Sequence, residues 1–143
     1  MIHLKKIRAA RRGDLAQIIE IDALITGLRK PAYWTAVMKR YGGRFFLVFH
    51  EKDLVQGYVV GEIRDWEFGA PPCGWVFGLG VRPQARLAGI GSRLLEALCG
   101  RLRASGVDTV RTLLARDNAL VLAFFRSQGM MAAPFIPLEK RLD

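Results

Sequence analysis

The sequence predicts an α/β protein, a single domain in which helices flank a central mixed β-sheet on both faces. Three observations carry this. Apolar runs of strand length interleave with stretches of helical periodicity, in the order β-α-α-β-β-β-α-β-α-β. Two of the strand runs are joined by a three-residue turn and form a hairpin. The length of 143 residues, with no repeat, linker or low-complexity segment, suits one domain over residues 1–143.

The elements follow in chain order. Residues 4–10, LKKIRAA, read as a first strand. Gly13-Asp14 open a helix, with Asp14 as its expected cap, and Leu15, Ile18, Ile19, Asp22 and Ile25 keep helical spacing until Gly27. Pro31 starts a second helix through Trp34, Val37, Met38 and Tyr41, which Gly42-Gly43 end. The hairpin joins strands 44–50 and 54–66. A loop, EFGAPPCG, leads to the strand 75–81. Residues 92–104 are helical, with Leu94, Leu95, Leu98 and Leu102 on one face, and Ser105-Gly106 close them. A strand is expected at 107–115, a helix from Asn118 to Gln128 ending at Gly129, and a last strand at 134–142.

Composition narrows the function classes. Twenty-two Lys and Arg against 13 Asp and Glu give a formal charge of +9, so anionic partners are favoured: nucleic acid, anionic membranes or phosphorylated small molecules. The cations are spread over the chain; residues 4–12, LKKIRAARR, are the densest stretch and read as a solvated strand end. Cys73 and Cys99 match no metal-ligand spacing and are expected as free thiols in a reduced compartment. The N-terminus lacks the apolar core of a signal peptide, and no stretch approaches the ~20 apolar residues of a membrane span. A soluble, cytoplasmic protein is expected.

The informative stretch is VRPQARLAGIGSRLLEAL, residues 81–98. The strand before it holds Gly78 and Gly80, and a strand glycine marks a bulge or a close approach by backbone or ligand. Pro83 ends the strand, and Gly89-Ile90-Gly91 open the helix. A helix start offers about four unpartnered N–H groups and about half a positive charge, and glycines let an anion come close. Arg82, Arg86 and Arg93 add cationic donors, so a phosphate or pyrophosphate is indicated. Read alone, Gly-x-Gly fits an ordinary tight βα turn equally well. A P-loop would need Gly-Lys-Ser/Thr where the chain has Gly91-Ser92-Arg93, and a dinucleotide fingerprint would need glycine at Leu94.

The pattern Val-x-Pro-x-x-Arg-x-x-Gly-x-Gly resembles motif A of the GNAT-type N-acetyltransferase superfamily, whose core is Gln/Arg-x-x-Gly-x-Gly/Ala, here Arg86 to Gly91. NALVLAFFRSQGM, residues 118–130, is similar to the family's second signature, an Asn, a helix, an aromatic and a closing glycine. The two stand in the family's order about 30 residues apart, and the order of elements matches over nearly the whole chain. The resemblance implies acetyl-CoA as cofactor and an amine as acceptor. It places the pyrophosphate on the backbone of Arg86, Leu87, Ala88, Gly89, Ile90, Gly91 and Ser92. The pantetheine arm would lie along the splayed end of strand 75–81 at Leu79 and Val81, like an added strand. An N–H near Leu79 or Gly80 would hold the thioester oxygen, and Asn118, otherwise a helix cap, would bind the arm.

The match departs from the family at the acid and the base. Where the family often has a tyrosine, seven residues after the Asn, this chain has Phe125, at the cofactor-binding position but unable to donate a proton. Water or another hydroxyl is expected there, with Tyr58 and Tyr33 as weaker candidates. Strand 75–81 has no carboxylate, so Glu62 on the preceding strand is the first candidate base, ahead of Asp65 and Glu67. His3 and His50 read as surface residues, and no metal site is expected. Asp22, Trp34, Asp65, Trp66, Glu67 and Phe68 could line an acceptor site for a cationic amine. The reading is an acetyl-CoA-dependent N-acetyltransferase acting on a primary amine by direct attack. A non-catalytic CoA-binding module of the same fold is the alternative, nucleic-acid binding is third, no membrane partner is expected, and a homodimer is left open.

Overall fold

A computed structural model describes residues 6–143. The chain divides into two compact units, one ending at Leu113 and the other running from Leu114 to Asp143.

The first unit is built on a mixed five-stranded sheet: β1 (Ile7–Ala9), β2 (Phe46–Glu51), β3 (Leu54–Arg64), β4 (Cys73–Val81) and β5 (Val110–Thr112), in that spatial order. The first four strands are antiparallel neighbours, and β5 joins β4 in parallel. The helices are α1 (Leu15–Thr26), α2 (Pro31–Tyr41) and α3 (Ile90–Ala104). Both faces are covered, as the sequence leads one to expect. On one face Ile18 and Ile21 of α1 and Trp34 and Val37 of α2 pack with Phe46, Val48, Tyr58 and Val60. On the other face Leu94, Leu98 and Leu102 of α3 lie over Gly57, Gly61 and Gly74. A Cβ on these glycines would come within 3.2, 3.1 and 2.6 Å of the three leucines. The absent side chains let α3 approach the sheet closely, and the i, i+4, i+8 spacing aligns the leucines with the glycine row. A strand buried on both sides must be apolar there, and the first four residues of β2 are: Phe46, Leu47, Val48 and Phe49 are all buried. Each contributes about 1.5–3 kcal/mol of apolar burial.

Several boundaries differ from the sequence expectation. The part of the first strand at residues 4–5 lies outside the described residues, as does His3. Asp14 does not cap α1. It turns back to take two hydrogen bonds from Arg8, at 2.7 and 2.9 Å, and one from the Arg11 N–H at 2.8 Å. The strand expected at 107–115 pairs only over Val110–Thr112. Cys73 and Gly74, expected in the loop, belong to β4. His50 is half-buried within β2. Cys73 and Cys99 are free thiols, buried and half-buried.

The second unit contains α4 (Ala119–Ser127). The strand expected at 134–142 is absent from it: the segment has no ladder, and Ile136, Leu138 and Leu142 are exposed. Pro134 and Pro137 remove two of the donors a ladder would use. Among the described residues no helix is long and apolar enough to cross a membrane.

Candidate functional site

The site begins where β4 loses its parallel partner. β5 pairs only with Gly74–Val76, and the Thr112 hydroxyl donates to the Val76 carbonyl at 2.8 Å. Beyond Val76 no described strand pairs with that edge of β4. On the other edge the antiparallel register with β3 steps from Val60↔Gly78 to Gly61↔Val76, leaving Phe77 as the extra residue of a bulge. The Arg82 N–H donates to the Gln56 carbonyl at 2.8 Å, on the β3 side. Main-chain groups alternate along a strand, so those of Val81 and Leu79 turn to the open edge. The Gly80 carbonyl faces β3, next to Gly57. Of Leu79 and Gly80, Leu79 therefore offers its amide to the open side.

The strand glycines make room for a neighbouring side chain as well as for the bulge. A Cβ on Gly80 would lie 2.6 Å from a Tyr58 ring carbon and 2.8 Å from its hydroxyl oxygen. One on Gly78 would lie 2.7 Å from Val60. Tyr58 is buried there, edge-on to Trp34 with ring centroids 4.9 Å apart. Burial, with the nearby Asp22 charge, pushes its hydroxyl well above the usual tyrosine range, so it keeps its proton. Tyr33 is half-exposed on α2.

After β4 the chain runs through a 3₁₀ segment, Pro83–Ala88, to Gly89. Gly89 has φ 75° and ψ 15°, the left-handed conformation that side-chain-bearing residues resist, and this turn starts α3. The first helical hydrogen bond runs from the Arg93 N–H to the Gly89 carbonyl at 3.2 Å. The amides of Ile90 and Gly91 stand ahead of it and have no acceptor within the helix. Arg86, Leu87, Ala88 and Gly89 are exposed, while Gly91 and Ser92 are half-buried.

The three arginines divide their work, which corrects the expectation that all of them face an anion. Arg82 is 4% exposed. It donates through Nε to the Val55 carbonyl at 2.7 Å, and through its terminal nitrogens to Glu20 at 2.9 Å and Gln17 at 3.2 Å. It is a clamp between the strand end and α1. Arg93 turns back to the Ala88 carbonyl at 2.8 Å and holds the far end of the loop. Arg86 alone is exposed and makes none of the ion pairs found among the described residues.

Glu62 lies on β3 opposite Trp75 of β4, on the α2 side. Its carboxylate accepts a hydrogen bond from the Tyr41 hydroxyl at 3.0 Å and stands 3.5 Å from Arg64 Nε. Burial and the hydrogen bond to Glu62 both raise the Tyr41 pKa, so Tyr41 remains a donor. Glu62, Tyr41 and Asp65 share a cleft of about 590 Å³. Asp22 and Trp34 do not line an accessible acceptor site. Both are buried, the Trp34 indole donates to Asp22 at 3.0 Å, and Lys30 pairs with Asp22 at 3.1 Å. Asp65, Trp66, Glu67 and Phe68 lie together in the exposed β3–β4 connection.

Asn118 and Phe125 belong to the second unit. Asn118 caps α4, its side-chain oxygen accepting from the Val121 N–H at 3.2 Å. Phe125 is buried and meets Phe124 edge-on at 5.2 Å. Sequence reasoning missed Gln17, Glu20 and Tyr41. Gln17 and Glu20 carry no local signal, because their partner is more than 60 positions away. Tyr41 sits in a recognised helix, and its bond to Glu62 follows only from the packing of α2 on β3.

The order of elements and the glycine turn into α3 are those of the GNAT family. Residues 15–130 match the acetyltransferase (GNAT) family, and the chain belongs to it. It is 33% identical over 88 residues to the mycothiol acetyltransferase of Saccharomonospora viridis, covering 59% of this chain and 29% of that protein. The corresponding protein of Sanguibacter keddieii is 31% identical over 91 residues, 64% of this chain and 29% of that one. The matched stretch is thus less than a third of either relative's length. Among solved structures, the aminoglycoside 6'-N-acetyltransferase of Acinetobacter haemolyticus superposes with a TM-score of 0.78 at 19% identity, over 96% of this chain and 99% of that one. An aminoglycoside N-acetyltransferase in complex with CoA gives 0.81 at 14% identity, over 94% and 93%. At such identities these two share the fold.

Proposed function

We propose that this chain is an acetyl-CoA-dependent N-acetyltransferase that moves an acetyl group to a primary amine by direct attack in a ternary complex. One observation carries the reading. The open edge of β4, the left-handed Gly89 and the unpartnered amides of Ile90 and Gly91 follow one another directly along the chain. A long ligand with an extended amide-bearing arm and a pyrophosphate matches that order of main-chain donors and acceptors. Exposed Arg86 supplies the free cation, while Arg82 and Arg93 hold the loop. The CoA complex of a structural neighbour and the family match support the same assignment.

The bound cofactor would supply an acyl group activated as a thioester. Leu79, Val81 and the loop 86–92 would bind it. The Leu79 amide would stabilise charge on the carbonyl oxygen. A protonated amine cannot attack, and Glu62 would take the proton directly or through water, held in place by Tyr41. Phe125 offers no proton, but a thiol of pKa near ~8.5 leaves tolerably as thiolate. That substitution also keeps the second reading, a CoA-binding module without turnover, in play; thiol release with amine mixtures separates the two.

The test is calorimetry of acetyl-CoA with wild type and Gly91→Glu. The variant sets a side chain and a negative charge where the pyrophosphate would rest. It should fold, by circular dichroism, and lose binding. A folded variant with wild-type affinity would remove the loop from the site.

A further inference from the structure

Tyr58 is a buried side chain whose polar end has nothing to bind. The residue is 3% exposed. Its ring packs edge-on against Trp34, and its hydroxyl makes no hydrogen bond among the described residues. Buried polar groups are as a rule hydrogen-bonded, and an exception calls for a partner from outside the chain. Phenylalanine would fill the same space without leaving a group unpaired. The oxygen is not sealed off either. Among the described residues, the fully enclosed side-chain atoms without a partner are Gln56 Oε1 and Trp75 Nε1, so the small open part of Tyr58 includes its hydroxyl. The direction of the ring shows where a partner would stand. Tyr58 of β3 is paired with Gly80 of β4. A Cβ at Gly80 would lie 2.6 Å from one ring carbon and 2.8 Å from the hydroxyl oxygen, and one at Gly78 would lie 3.8 Å from another ring carbon. The ring therefore reaches across β4 on the face that α1 and α2 cover, over Gly78 and Gly80. Its hydroxyl ends above the strand whose far edge is open beyond Val76.

We propose that the Tyr58 hydroxyl donates a hydrogen bond to the thioester sulfur as it leaves. This rests on the acetyl-CoA assignment in the proposed function. There the pyrophosphate rests on the loop 86–92 and the acyl oxygen on the Leu79 amide. The sulfur precedes the acyl carbon along the arm, so it falls on the loop side of Leu79, level with Gly80. In the transfer the amine nitrogen bonds to the acyl carbon, and its proton goes to Glu62 or water. The C–S bond breaks with its electron pair on sulfur. Tyr58 keeps its own proton throughout. Burial, with the charge of Asp22, holds its hydroxyl well above the ~8.5 of a thiol, so it stabilises a thiolate without protonating it. The titratable groups that face it are Asp22 of α1, which is bonded to Trp34 and Lys30, and Tyr33 of α2. The stretch of β4 under the ring, Gly78 to Gly80, carries none.

The experiment compares wild type with Tyr58→Phe, both as the full chain. The deciding readout is the thiol of bound CoA, titrated by the ultraviolet absorbance of its thiolate against a desulfo-CoA blank. It should titrate lower in wild type than in the variant by about one to two pH units, the worth of one hydrogen bond to a charged group. A packing role would not move it. Thiol release from saturating acetyl-CoA, with butylamine, lysine and spermidine together, should fall about 10- to 100-fold in the variant. Acetyl-CoA affinity by calorimetry should stay constant, because charge on sulfur develops only in the transition state. The variant should melt no lower than wild type, since no bond within the protein is lost. An equal thiol titration in the two proteins overturns the proposal; if thiol release still falls, the hydroxyl serves the acyl oxygen instead. A variant that melts several degrees lower overturns it too, by revealing a partner within the protein. A lowered thiol titration without thiol release would uphold the contact to sulfur and refute the acetyltransferase reading. Failure of wild type to bind acetyl-CoA and CoA refutes the proposed function, and this assignment with it.

Discussion

Replacing Arg82 by methionine tests whether the arginine is a clamp and not an anion ligand. Methionine keeps an unbranched apolar stem of similar reach, so packing changes little and the polar loss is isolated. Three bonds disappear, and their acceptors fare differently. The Val55 carbonyl, at 2.7 Å from Nε, loses a buried donor and costs about 1–3 kcal/mol. Gln17 Oε1 keeps a bond from the Val55 N–H at 2.8 Å, so its loss is smaller. The Glu20 side chain is 53% exposed and rehydrates, which limits that ion pair to about 0–1 kcal/mol. The sum is about 1–4 kcal/mol, dominated by Val55. For a chain of 143 residues that lowers the melting temperature by roughly 3–15 °C. The assay is thermal and urea unfolding of wild type, Arg82→Met and Glu20→Gln. The last should cost under about 1 kcal/mol, since a neutral amide still accepts at an exposed site. If Arg82→Met is as stable as wild type, or Glu20→Gln costs as much as Arg82→Met, the energetic assignment fails. A variant that keeps its stability and loses only acetyl-CoA affinity would restore Arg82 to the anion site.

Burial pushes the Asp14 carboxyl up, but the Arg8 hydrogen bonds, the Arg11 N–H and the charge of Arg8 outweigh it and leave the group below the usual carboxylate range. A depressed folded-state pKa contributes stability in full above the unfolded value and loses it as pH falls through the folded one; the melting-temperature gap between wild type and Asp14→Asn should thus be open near neutral pH and close in acid below the ordinary carboxylate range, and a gap that widens in acid would contradict the Arg8 pairing. Glu62→Gln should lower turnover by about 10²-fold or more at neutral pH and less at high pH, where more of the amine is already neutral, with acetyl-CoA affinity unchanged; a variant that follows the wild-type pH–rate profile throughout would exclude Glu62 as base.

What could be read from the sequence was whatever depends on neighbours along the chain. The hairpin, the helical face of α3, and the loop from Pro83 to Gly91 follow from spacing and from glycine and proline chemistry, and the bulge at Phe77 was signalled by Gly78 beside it; on α1 the spacing put Ile25 on the buried face, where Ile21 is buried instead and Ile25 is exposed. The last strand was expected although PFIPLEKRL carries local evidence against it, since Pro134 and Pro137 each lack a ladder donor. The row of glycines under α3 was equally hidden: Gly57, Gly61 and Gly74 come from two strands, and only the register brings them under one helix.

The arginines of the loop show why a charge pattern does not by itself assign roles. Arg82, Arg86 and Arg93 are equivalent as cations near a helix start. Their roles are decided by what each guanidinium meets, and the deciding acceptors differ in sequence distance. Arg93 finds its carbonyl five residues back, at Ala88. Arg82 finds its own on β3 and α1, which reach it only after the sheet has closed. A binding loop needs both kinds of cation, since a free guanidinium beside an unsupported loop would order the loop at the cost of its own affinity. Two arginines bonded to protein acceptors pre-set the backbone, and the third can then meet the ligand without that cost. Holding the loop therefore falls to residues outside the glycine motif, Gln17, Glu20 and Val55, and substitutions there should reach the site through the shape of its backbone rather than through contact with anything bound to it.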